Sequence, residues 1–85
     1  MQLSLFPKDV YLTRIDHEKR MARFYRMSID RDLFGRTVLW REWGRIGSSG
    51  RLKLTPYGCE GSAVTELAVA AKKKNQRGYV TLAEI

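Results

Sequence analysis

Hydropathy along this chain alternates every second residue for most of its length and changes to a helical repeat once, between Ser62 and Gln76. A repeat of two puts successive side chains on opposite faces of a strand, and a repeat near 3.6 lines them up along one stripe of a helix. Val10-Tyr11-Leu12-Thr13-Arg14-Ile15 predicts a first strand, with Val10, Leu12 and Arg14 on one face. Ala22–Ile29 predicts a second, with Tyr25, Met27 and Ile29 together. Thr37–Ile46 predicts a third and Arg51–Leu54 a short fourth, ended by Pro56 and Gly58. Polar turns at Asp16–Arg20 and Asp30–Gly35 and a flexible Gly47-Ser48-Ser49-Gly50 connection join them. The helix carries Val64, Leu67, Ala68 and Ala71 inward, Ser62 as its N-cap, Lys72-Lys73-Lys74 in its last turns and Gly78 just past its end. Tyr79–Leu82 closes the chain as a strand. Strands, one helix, then a strand describe an α+β fold: an antiparallel sheet of four to five strands with one helix on one face.

Eighty-five residues make one small domain, read as residues 8–85 behind a tail of residues 1–7. A chain this short buries only about 60% of its unfolded surface. Its stability is then roughly 4–13 kcal/mol. Sixteen Lys and Arg face nine Asp and Glu, for a net charge of +7. That excess favours a polyanion as partner. One cysteine, Cys59, makes no internal disulfide and suits a reducing, cytoplasmic compartment. The longest apolar run, Leu67–Ala71, is too short to span a bilayer, so no membrane partner is expected. A monomer is the default.

The third strand is the most informative stretch. Strict alternation puts Leu39, Arg41, Trp43 and Arg45 on one face and Val38, Trp40, Glu42 and Ile46 on the other. If Trp40 builds the core beneath the helix, Trp43 stands on the opposite face, among arginines. There it offers a flat apolar surface for a sugar or base, and its neighbours offer phosphate donors. Gly44 leaves room beside it for another backbone. A strand tryptophan in the core is the competing reading.

The chain resembles the WGR domain family on Arg23-Phe24-Tyr25, Asp32-Leu33-Phe34-Gly35, Arg41-Glu42-Trp43-Gly44-Arg45-Ile46-Gly47 and Gly78-Tyr79. That family includes domains of the DNA-damage-responsive poly(ADP-ribose) polymerases and small bacterial proteins, and its fold is a sheet with one helix. The resemblance implies that Trp43 meets the sugar at a broken DNA end. In the polymerases the motif arginine couples neighbouring domains, a role that maps onto Arg45 but depends on neighbouring domains. The transferase activity does not carry over. The implied role is a non-catalytic, nucleoid-associated DNA-binding module, recognising ends or nicks in DNA repair, with RNA an open alternative. The resemblance puts Trp43 at the site with Arg41 and Arg45 beside it, and the charge pattern adds Arg51, Lys53 and Lys73 as phosphate contacts. A protein-interaction module anchored by an exposed Trp is the reading from a different class.

Gln2-Leu3-Ser4-Leu5-Phe6 lies outside that match and resembles the peptide with which bacterial proteins hold the replication sliding clamp, Gln-Leu-(Ser or Asp)-Leu-Phe, at all five positions. The resemblance implies that Leu5 and Phe6 fill an apolar pocket and that Gln2 and Leu3 contact a second subsite. The alternative is that Leu3 and Leu5 pack on the domain's own edge.

No enzyme is read here. His17 and Cys59 lack a third partner for a nucleophile. The chain cannot supply the four ligands of a zinc site. Asp30 and Asp32 belong to a solvated turn, and Gly47–Gly50 lacks the lysine and hydroxyl of a phosphate loop. No cofactor or metal is expected.

Overall fold

The computed structural model describes residues 7–85. The clamp-like peptide, Gln2–Phe6, therefore lies outside the described residues. Strands β1 (Asp9–Asp16), β2 (Met21–Arg31), β3 (Thr37–Arg45) and β4 (Arg51–Tyr57) precede helix α1 (Glu60–Gln76), and β5 (Val80–Glu84) follows it. They form one five-stranded antiparallel sheet in the order β4-β3-β2-β1-β5, the α+β class read from the hydropathy pattern. The helix crosses one face, packing on β3, β2 and β4. No helix among the described residues is long and apolar enough to cross a membrane.

The core is the seam between helix and sheet. Val10, Leu12, Met27, Leu39 and Leu67 are sealed in it, with Tyr25 nearly so. Pairing shows why these residues meet: Val10 lies opposite Met27, Leu12 opposite Tyr25, and Ile29 opposite Leu39. Directly paired residues share a face, so the inward rows expected for the first two strands extend unbroken into the third. On α1 the inward stripe is Ala63, Leu67, Ala70 and Ala71. Ala68, expected inward, is exposed; Ala63 and Ala70, one turn either side of Leu67, take the inward places instead.

The helix also starts at Glu60, before the expected Ser62. The N-cap is Cys59, in an extended conformation, rather than Ser62. Ser62 instead stands within the first turn, and its hydroxyl lies 3.2 Å from Cys59 Sγ. β4 likewise runs past its expected end, through Pro56 to Tyr57. A proline lacks the N–H a ladder needs, but β4 is an edge strand and can spare one. The β2–β3 turn is held by Asp32. Its carboxylate accepts the Phe34 and Arg36 N–H groups at 2.9 Å each and Arg36 Nε at 2.8 Å. These contacts, the Arg36 backbone N–H first, hold the Asp32 carboxyl below its ordinary value.

Two glycines bring the third strand and the following loop together. A Cβ on Gly44 would meet Gly50 Cα at 2.8 Å. One on Gly50 would meet the Trp43 carbonyl oxygen at 2.5 Å, at a positive φ of 69°. The space beside Trp43 that Gly44 leaves is thus taken by the chain's own β3–β4 loop.

The candidate nucleic-acid interface

Alternation along β3 holds as read, but the faces are reversed. Trp43, not Trp40, stands on the helix side. It lies opposite Tyr25 in the register, stacks on that ring at 6.0 Å between centroids and 21° between planes, and packs against the core cluster. Trp40 is on the far face beneath Arg26, whose guanidinium carbon lies 5.1 Å from its ring centroid. Trp43 is only partly buried. Its open part faces a cavity of about 490 Å³ between the start of β2, the end of β3 and the last turn of α1.

Helix termination builds the rest of that cavity. α1 ends in a Schellman motif. Gly78, at φ 95°, donates its N–H to Asn75 at 3.1 Å, and Tyr79 donates to Lys74 at 3.0 Å. The motif turns Tyr79 back over the residue five positions earlier. Lys74 Nζ therefore lies 5.3 Å from the Tyr79 ring centroid and 4.4 Å from that of Tyr25, and Tyr79 meets Tyr25 edge-on at 6.5 Å. Partial burial first, then the nearby charges of Arg77 and Arg23, hold the Lys74 pKa below 10.5. The rim adds Lys19, Arg20, Arg23 and Arg45, and no carboxylate lines the cavity among the described residues.

Charge is divided between the two faces of the sheet. Register places Arg14, Arg23, Arg31, Arg41, Arg45, Arg51 and Lys53 on the helix side, together with Asp16 and Glu84. Among the strand cations only Arg26 lies on the other face, alongside Asp9, Asp30 and Glu42. Arg26 is also within 3.4 Å of Asp9. The far face carries exposed Leu52, Leu54, Ile15 and Val80 instead. An anion is thus drawn to the helix side.

The residues singled out from sequence take different places within this arrangement. Trp43 and Arg45 line the cavity. Arg51 and Lys53 are exposed on β4, opposite Trp43 and Arg41 in the register and on the same face. Arg41 turns instead to the helix, its Nη2 lying 3.5 Å from Glu66 Oε1. Arg41 and Lys73 line a second, smaller cavity beside the first. Sequence reasoning overlooked Tyr25, Tyr79, Lys74, Arg23, Lys19 and Arg20. From sequence, Tyr25 shares a face with Met27 and Ile29, and Lys74 is one of three lysines in the last helical turns. The signal for Lys74 and Tyr79 was Gly78 itself, since a Schellman turn brings together the residues on either side of it.

The described residues hold no group of three His, Cys, Asp or Glu side chains placed to bind a metal ion. The arrangement offers aromatic faces and fixed positive charge.

Comparison with known proteins gives a family for this geometry. An uncharacterised protein of Sinorhizobium fredii, y4dW, is 41% identical over 73 residues, which is 86% of this chain and 36% of the relative. The chain thus spans about a third of that relative's length. No solved structure matches. The model of the WGR domain matches residues 8–84, from the residue before β1 to the last residue of β5, and the chain belongs to the WGR domain family.

Proposed function

We propose that this protein is a non-catalytic module that binds DNA through the helix-side cavity, with one nucleotide lying against Trp43 and its phosphates held by the surrounding cations. The observation that carries this is the stacked Trp43–Tyr25 pair beneath a cavity ringed by Lys19, Arg20, Arg23, Arg45 and Lys74 without a carboxylate. Its volume, about 490 Å³, falls in the roughly 300–1,000 Å³ range of small-ligand sites. Such a site admits a single terminal nucleotide better than the middle of a duplex, which favours ends or nicks and a role in DNA repair. Arg51 and Lys53 extend the positive face along β4 for the flanking backbone. RNA offers the same phosphates, so competition between the two measures the preference.

A titration against salt tests this. Binding of a fluorescent, nicked duplex weakens steeply as salt rises. Three to six neutralised phosphates give a slope of log K against log salt between about −2.7 and −5.4. A slope near zero removes the phosphate-led reading and leaves a protein-contact module.

The N-terminal peptide adds a tether in this reading. Gln2, Leu3, Leu5 and Phe6 hold the bacterial sliding clamp with a modest affinity, about micromolar. Linkage to a DNA-binding domain makes that sufficient. Replacing Leu5 and Phe6 with alanine abolishes co-purification with the clamp and leaves DNA affinity unchanged. Undiminished retention removes the tether.

A further inference from the structure

The smaller cavity beside the first is not explained by stacking at Trp43. It holds about 150 Å³ between β3 and the last turns of α1, and Tyr25 and Lys74 line both cavities, so the two adjoin. Arg41 enters it from the sheet, and Lys73, Lys74 and Arg77 enter from the helix. Glu66 is the one carboxylate there, and its contact with Arg41 is long, at 3.5 Å. Arg41 is largely covered, with 21% of its side chain exposed, and its Nε is buried without a hydrogen-bond partner. A guanidinium in that state lacks the acceptors it needs.

Compensation of the helix dipole does not account for the cluster. It would place Lys73 and Lys74 near the helix end, but not an arginine from β3. The helix carbonyls are also partly satisfied, since Asn75 and Lys74 accept from the Schellman turn. Folding thus gathers four like charges around one shared cavity, and an anion would relieve their repulsion. The space, about 150 Å³, leaves room for a tetrahedral group with four oxygens.

Resting on the DNA-binding reading above, we propose that this second cavity is a phosphate subsite, which takes the backbone phosphate adjoining the nucleotide at Trp43. Lys74, shared by both cavities, then lies between two consecutive phosphates. The ligand class is a strand with at least two neighbouring nucleotides.

The test compares the parent with a Lys73→Gln/Arg77→Gln double variant. Both residues are exposed and lie outside the first cavity, so the Trp43 site is left intact. A Lys8→Gln/Lys72→Gln variant, outside both cavities, matches the loss of charge. The probe is the same fluorescent, nicked duplex. The pocket variant is expected to bind five- to twentyfold more weakly, with the magnitude of its salt slope reduced by about 0.9, one phosphate of duplex DNA. The charge-matched variant keeps a slope near the parent's. Equal changes in the two variants overturn the subsite and leave only diffuse attraction, and parental binding by the pocket variant overturns it outright. If the parent itself does not bind the probe, the DNA-binding reading falls and the subsite falls with it. A parent that binds beside an unaffected pocket variant removes the subsite alone.

Discussion

Trp43→Leu is expected to lower DNA affinity about 5- to 150-fold, equivalent to 1–3 kcal/mol, in a domain that still folds. Leucine is the informative replacement because Trp43 has two tasks. Its ring packs on Tyr25 and the core cluster, and its open part lines the cavity. Alanine would remove both and create a void beside Tyr25, with a stability cost approaching the roughly 3–5 kcal/mol of a buried aromatic. Leucine keeps apolar contact with Tyr25 but presents no flat surface to a sugar or base. Trp43→Phe restores a smaller ring and should recover part of the loss. Anisotropy titration with a nicked duplex measures affinity, and circular dichroism confirms that the fold survives. A folded Leu variant that binds like the parent would mean the indole is only packing, and the site would have to be sought among the cations alone.

Alternation in Leu39–Ile46 separates the two tryptophans because the strand backbone sets a repeat of two regardless of tertiary context. The side that the helix covers is a different kind of fact. β4 and β5 run the same way at opposite edges of the sheet, and the hand of the connection between them selects the covered face. That hand cannot be applied until β5 is known to lie beside β1, a long-range pairing. The same limit explains the site. Arg41 and Trp43 are separated by one residue on β3, yet each lines a different one of two adjoining cavities that share Tyr25 and Lys74 of α1. Tyr25 was legible as an inward residue but not as the base of a stack, since its pairing with Trp43 depends on the register of β2 against β3. The local signals were read more completely. Gly78 ends the helix where its sequence position indicates, and Gly44 marks a close approach. Pro56 misled because a proline ends a central strand but is tolerated on an edge, and edge position is again a property of the whole sheet.

Helix docking and DNA binding should fail together in Leu67→Ala. Leu67 is completely buried among Val10, Leu12, Tyr25, Met27 and Leu39, and the only other fully buried residue of α1 is Ala63. One large side chain therefore supplies most of the helix's hold on the sheet. Its truncation costs about 2–5 kcal/mol, a large share of the roughly 4–13 kcal/mol available to a domain of this size. The melting midpoint should fall by about 8–40 °C, at 4–8 °C per kcal/mol. Leu67→Met, which keeps the volume, should cost under about 1.5 kcal/mol. The consequence reaches the cavity because α1 carries Lys74, and its Schellman turn carries Tyr79. When the helix lifts, both leave Tyr25, although Trp43 and Arg45 remain on the sheet. Affinity measured well below the lowered midpoint separates the two effects. A Leu67→Ala protein that is folded there but binds weakly shows that the helix completes the site. If affinity is unchanged in that folded protein, the sheet alone carries the contact, and Lys74 and Tyr79 are bystanders.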